Sequence, residues 1–249
     1  MIELDEVGST NNFLRHLNTP GDLRTTLVTA EFQTAGRGAD QNHWESAKGE
    51  NLLLSLRVMP AHLPARRMFA ISEATAMAVS DALNAFLPPA KGGRWFTIKW
   101  PNDIYYDDYK VAGILIENDL QGALVQRSTI GIGININQRR FLSDAPNPRS
   151  LADIVGHDVE RRFVLEQFME HFTRYFGQIG DGRQEALDAL HENYIKRLYR
   201  LAEEHTYSDK DGIFRATLID VEPTGHLILQ DTEGKKRSYA FKEVKWVRD

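Results

Sequence analysis

Three short segments and one polar cluster hold the side chains from which chemistry could be built. The first is Gly36-Arg37-Gly38. Glycines let backbone amides approach a ligand closely, successive amides can form an anion-binding nest, and an arginine adds a planar fork of donors for a carboxylate or phosphate. The segment lacks the GxxxxGK[ST] pattern of a P-loop. On its own it reads first as an exposed turn with a surface arginine. The second segment, Lys99 to Gly113, reads KWPNDIYYDDYKVAG. Lys99, Asp103 and Lys110 put both signs of charge beside a strand–turn–strand pattern. Lys110 could neutralise charge developing in phosphoryl or nucleotidyl transfer, and Asp103 could orient a metal-bound phosphate or an incoming amine. Solvent-facing charges around a proline turn are the alternative. Trp100 reads as a packing residue. The third segment, Ile130 to Asn137, is IGIGININ. Gly131 and Gly133 alternate with core-facing isoleucines, and Asn135 or Asn137 could bind a nucleotide; a bulged strand with an Asn-rich turn fits equally. Ser9, Thr10 and Asn11 either cap a helix or read a polar ligand head. The histidines show no metal-ligand spacing.

Composition removes other chemistries. The chain of 249 residues has no cysteine, so disulfides, thiolate nucleophiles, zinc ribbons and cysteine-held iron–sulfur clusters are excluded. A formal net charge of -5 gives no support for a general nucleic-acid or anionic-membrane surface, though a local basic pocket is compatible with it. The N-terminus, MIELDEVGSTNNF, lacks the basic and apolar regions of a signal peptide, and no run approaches the apolar length of a membrane span. A cytoplasmic protein is the expectation.

The elements that must position these residues follow from periodicity. Strands are expected at Arg24–Phe32, Asn51–Val58 (where a short helix fits the apolar run too), Phe96–Lys99, Lys110–Glu117 and Ala123–Asn135. A long polar loop fills Gln33–Gly49. An amphipathic helix is expected over Ala65–Leu87, stopped by Pro88 and Pro89. Further helices are expected at SLADIVG, Phe163–Phe176 and Gln184–Leu198. From Leu201 onward, short strand signals at Ile213–Val221, His226–Leu229 and Lys236–Phe241 alternate with KDG, PTG and TEG turns, which reads as a small all-β unit packed directly on the rest. The length allows one large domain plus a small partner.

Taken in order, GSTNNF at Gly8–Phe13, AEFQTAGRG at Ala30–Gly38, WES at Trp44–Ser46, GENLLLS at Gly49–Ser55, KWPNDIYYDDYKVAGILIE at Lys99–Glu117 and IGIGININ at Ile130–Asn137 resemble the biotin protein ligase family. The resemblance implies an α+β fold: a class II aminoacyl-tRNA synthetase-like (biotin synthetase-like) catalytic domain with a mixed β-sheet over residues 1–198, then a small SH3-like β-barrel over 199–249. Some family members carry an N-terminal DNA-binding domain. Eight residues before Ser9 leave no room for one, so no DNA partner is expected.

The implied reaction has two steps. Biotin and ATP give biotinyl-5'-adenylate and pyrophosphate, with Mg²⁺ accompanying ATP. The lysine amine of a biotin carboxyl carrier protein or domain of acetyl-CoA carboxylase then displaces AMP, with no enzyme thioester. By resemblance Ser9, Thr10, Asn11 and Gln33 form the biotin site. Gly36, Arg37, Gly38 and Gly113 lie along the carboxylate and adenylate phosphate, and Asn135 serves the ATP or metal–phosphate environment. Lys110 is the leading catalytic residue, holding carboxylate and α-phosphate together. Arg37 assists, Lys99 is a weaker electrostatic contributor, and Asp103 positions the carrier lysine. No protein metal-ligand set is assigned. The family loop commonly reads GRGRxGRxW, whereas this chain has GRGADQNHW, with Ala39 and Asn42 for arginines and Gln41 for a glycine. Arg37 and backbone amides are then expected to carry more of the phosphate contact. A related lipoate or octanoate ligase, or a non-catalytic biotin-binding regulator, are the competing readings. A homodimer through edge-strand pairing is compatible with the chain.

Overall fold

The computed structural model describes residues 1–17, 25–38, 42–88, 95–143 and 147–247. Arg24, Ala39, Gln41 and Pro89 lie outside the described residues.

The chain begins with β1 (Ile2–Val7), α1 (Thr10–His16), β2 (Thr26–Gln33) and β3 (Leu52–Val58). β1 and β2 run parallel, which requires a crossover, and α1 lies within it. A single 3-10 turn at Ala65–Arg67 leads into α2 (Phe69–Asn84). Then come β4 (Phe96–Lys99), β5 (Asp103–Tyr106), β6 (Tyr109–Gln121) and β7 (Leu124–Ile134). These strands form one seven-stranded mixed sheet in the order β1-β2-β3-β7-β6-β5-β4. Every pair other than β1–β2 is antiparallel.

Strand β3 is buried throughout because both faces are covered. Leu52, Leu54, Leu56 and Val58 join the large core. On the opposite face Ser55 and Arg57 turn toward α1 and its C-terminal end. Helix α2 departs from the amphipathic expectation. Most of its residues are buried, because it packs at once on β4–β6, on α4 (Arg161–Ile179) and on α5 (Gln184–Ile195). The Ala70, Ala74, Ala78 and Ala82 row that the sequence presents as a small-residue flank is fully enclosed. The short helix α3 (Leu151–Val155) is capped by Ser150 and ends on Gly156 at φ 85°, as the SLADIVG pattern requires.

The last portion holds β8 (Glu204–Asp209), β9 (Gly212–Val221), β10 (Leu227–Asp231), β11 (Lys236–Tyr239) and β12 (Lys245–Trp246). They form a second, wholly antiparallel sheet ordered β11-β10-β9-β8-β12. No closed barrel forms among the described residues, so the fold is α+β with a mixed sheet and a second antiparallel sheet. This unit is locked to the body. The Trp100 indole donates to the Gly225 carbonyl at 3.0 Å, its ring meets Phe241 edge-on, and Leu218, Val221 and Leu227 share one buried cluster with α2, α4 and the main sheet. No helix among the described residues is long and apolar enough to cross a membrane.

Candidate active site

A cavity of about 860 Å³ opens between the two sheets. Its floor is the β6–β7 pair, and its roof is the segment Phe241–Trp246 of the second sheet. The floor is smooth because glycines sit in register, with Gly113 facing Gly133 across the strands. A β-carbon on Gly133 would fall inside the Trp44 indole, and one on Gly113 would stand 2.8 Å from the same ring. Gly131, opposite Ser55, leaves equivalent room for the Asn11 amide. The glycines of IGIGIN are therefore contact points, and β7 runs unbulged opposite them.

At one end of the floor lies a polar pocket. Ser9 ends the first loop as the N-cap of α1, and Ser9, Thr10 and Asn11 are each buried. Gln33 Oε1 accepts from the Thr10 backbone N–H at 2.7 Å and from its hydroxyl at 3.0 Å. Ser55 Oγ lies 2.7 Å from Thr10 Oγ1 and 2.5 Å from Asn11 Oδ1. Ser9 caps the helix, and the residues that start the helix also line the cavity.

Over the floor, residues 36–38 and 42–44 double back on each other. Gly38 N donates to the Asn42 carbonyl at 2.8 Å and Trp44 N to the Gly36 carbonyl at 3.0 Å. Gly36 is required there, since a β-carbon would stand 2.6 Å from the Trp44 carbonyl. The Trp44 Nε1 is buried with no hydrogen-bond partner among the described residues. Arg37 lines the cavity while its guanidinium reaches Asn12 Oδ1 at 2.8 Å and Glu117 at 3.4 Å. Glu45 fastens a neighbouring loop by accepting from the Leu142 and Ser143 amides. Burial pushes its carboxyl up, but those bonds outweigh it and leave the group below the usual range.

Farther along, Lys110 Nζ pairs with Asp103 at 2.7 Å, both three-quarters shielded, and stands 5.7 Å from the Trp44 ring centre. Backbone bonds from Lys110 to Asn147 and Arg149 hold the strand start in place. Asn135 is buried, and its Oδ1 has no partner among the described residues. Of the residues singled out in the sequence, Ser9, Thr10, Asn11, Gln33, Arg37, Gly38, Asp103, Lys110, Gly113 and Asn135 line this one cavity, and Gly36 shapes its loop. Lys99 does not. Its ammonium sits over the Tyr105 ring at 4.6 Å and lines a separate cavity of about 310 Å³ with Asp108, Tyr199 and Arg200. Aromatic faces hold a cation there, away from the glycine floor. No cluster of His, Asp and Glu fit to hold a metal by itself occurs among the described residues.

The sequence reading left Ser55, Glu45 and the roof residues Phe241, Lys242 and Trp246 without a site role. Ser55 stands inside a quoted motif block, so position could have flagged it. The roof residues carry no local signal, because only the docking of the second sheet brings them to the cavity.

The Ser9–Asn11 and Gln33 pocket, the glycine floor and the Lys110–Asp103 pair thus line a single cavity of an α+β fold. Residues 4–135 match the family model described as "Biotin/lipoate A/B protein ligase family", and the chain belongs to that family. It is 29% identical over 226 residues to a biotin–[acetyl-CoA-carboxylase] ligase of Paracoccus denitrificans, covering 87% of this chain and 89% of that one. It is 28% identical over 245 residues to the bifunctional ligase/repressor BirA of Bacillus subtilis, covering 96% and 72%. The structure of the biotin protein ligase from Aquifex aeolicus in complex with biotin and ATP superposes with a TM-score of 0.78 at 25% identity, covering 100% of this chain and 98% of that one.

Proposed function

We propose that this protein is an ATP-dependent biotin–[biotin carboxyl carrier protein] ligase. The observation that carries the proposal is the union, in one cavity, of the Thr10–Gln33–Ser55 pocket and the Lys110–Asp103 pair, in a chain similar to named biotin ligases. The pocket offers donors and acceptors for a ureido head, the Trp44 indole seated on the glycine floor offers an apolar face for the ring and tail, and Lys110 meets the carboxylate. In the first step a biotin carboxylate oxygen attacks the α-phosphorus, the bond to the β-phosphate oxygen breaks, and pyrophosphate leaves. Lys110 draws the two anions together and balances charge at the phosphorus. In the second step the carrier lysine nitrogen attacks the acyl carbon, and AMP leaves with the bonding pair. Asp103 positions that amine. The Trp44 loop and the roof exclude water from the anhydride.

Mg²⁺ suits the donor set. The partnerless Asn135 Oδ1 is a hard oxygen of the kind that cation takes, and phosphates and water would complete its shell. The ion would supply charge neutralisation at the phosphates. We read residues 1–198 as the catalytic domain and 199–249 as an opened SH3-like unit. Strand β1, the uncovered edge of the main sheet, would pair with the carrier domain or with a second copy.

The test is transfer to a purified apo-carrier domain with ATP. The expected result is mass gain from biotin and none from lipoate or octanoate. Labelling by lipoate alone, or by neither, would overturn the proposal. In the same assay Lys110→Ala should slow adenylate formation by about 10²–10³-fold, the effect typical of losing one preorganised charge donor. Turnover near wild type would remove Lys110 from its role.

A further inference from the structure

Glu117 lies on β6 beyond the floor glycines, and its carboxylate joins three pieces of the site. Oε1 accepts from Arg15 at 2.9 Å and from Arg37 at 3.4 Å. Oε2 accepts from the Asn11 amide at 3.4 Å. Asn11 is itself seated over Gly131 and against Ser55. Arg37 is flanked by Gly36 and Gly38, whose backbone bonds to Trp44 and Asn42 carry the indole that covers Gly113 and Gly133. One carboxylate thus touches the head pocket on one side and the covering loop on the other.

Arg15, Arg37 and Glu117 side chains are 44%, 38% and 23% exposed, and pairs this wet add little to global stability. Both terminal nitrogens of Arg37 are engaged, one by Asn12 and one by Glu117. A guanidinium held at both nitrogens fixes its own backbone more than it stabilises a distant phosphate. We propose that Glu117 is a positioning residue. Through Arg37 it sets the 36–38 and 42–44 backbone over the cavity, and through Asn11 it links that setting to the occupied head pocket. The inference rests on the functional reading above, because what the loop retains is the biotinyl-adenylate.

The experiment compares wild type, Glu117→Gln and Arg37→Met in the full chain. Glutamine keeps the shape and one acceptor but loses the charge. Arg37→Met breaks the pair from the other side and serves if the first variant folds poorly. Three readouts are taken. The first is the half-life of release of labelled biotinyl-adenylate, expected to shorten by about tenfold in both variants, since a small misplacement of a covering group is costly. The second, taken on Glu117→Gln alone, is transfer of biotin to the carrier domain from added, saturating adenylate, with kcat within twofold of wild type and the apparent KM raised. The third is chymotryptic cleavage after Trp44, expected to accelerate several-fold in both variants at an unchanged Tm. The double variant should match Arg37→Met alone, because both changes cut the same link. Wild-type retention and cleavage in Glu117→Gln, or multiplied effects in the double variant, would overturn the proposal. If wild type makes no biotinyl-adenylate, the functional reading fails, while the cleavage comparison still decides whether Glu117 holds the loop.

Discussion

Gly133 shows how much a missing side chain can contribute. Alternation of glycine with isoleucine in IGIGIN identifies the segment, and the pairing of Gly113 with Gly133 under Trp44 gives the reason. Gly133→Ala should therefore lift the indole off the floor and raise the KM for biotin by about tenfold or more, because a displaced positioning group costs orders of magnitude in rate or affinity. Steady-state kinetics with biotin varied would check it, and an unchanged KM would show that the floor tolerates a methyl group. Most residues singled out by the ordered resemblance line one cavity, whereas each block read alone left an exposed turn, a charged proline turn or a bulged strand open. Lys99 illustrates the limit. Its charge and its place beside WPND are visible in the chain, but the Tyr105 ring that captures it is a tertiary fact. Trp44 was visible as a motif residue, yet its role over two strands depends on contacts 69 and 89 positions away.

Among the elements, strands with apolar runs were readable, the edge strand β4 at Phe96–Lys99 included, whereas β1, β5, β8 and β12 were not. β1 starts as an alternation of Ile2 and Leu4 with Glu3 and Asp5, but Glu6 before Val7 breaks it, and the strand is only half-buried. Its charges keep an uncovered edge from pairing indiscriminately, and the same charges hide it from a hydrophobicity reading. β8 and β12 escaped for a related reason, since His205 and Thr206 or Lys245 show little apolar period. The opposite edge, β4, is covered: Ile98 N donates to the Arg197 carbonyl and Tyr199 N to the Ile98 carbonyl. Helix α4 was placed correctly by Phe168, Phe172 and Tyr175. Gly177, exposed inside α4 with open space where a β-carbon would sit, is a weak point of that helix. Gly177→Ala should stabilise the protein by about 0.5–1 kcal/mol, read as a rise of a few degrees in Tm or a higher denaturant midpoint. No gain would mean that α4 frays before the protein unfolds.

At the scale of the whole molecule, a buried charge cluster joins α2 to α5. Glu73 on α2 is buried and contacts His191 Nδ1 from α5 at 2.6 Å. Arg67, Tyr194 and Asp220 lie within electrostatic reach. Burial raises the Glu73 carboxyl, and the His191 bond only partly offsets it. Burial lowers His191, but the hydrogen bond and charge of Glu73 outweigh it and leave the imidazole raised. Both folded-state values exceed the ordinary 4.5 and 6.5, so the native state binds more protons than the unfolded chain across that range and above it. The stabilisation carried by His191 is complete below its unfolded value and is lost as pH rises through the folded one. His191→Gln should flatten the fall in Tm as pH rises above 6.5; an identical slope would assign the pH dependence elsewhere. Two sheets share the cavity: its floor, the β6–β7 pair, is complete at Ile134, and its roof is Phe241–Trp246. During synthesis on the ribosome the floor emerges before the roof, so in the later part of translation the nascent chain carries a half-cleft without its cover, a natural target for chaperones.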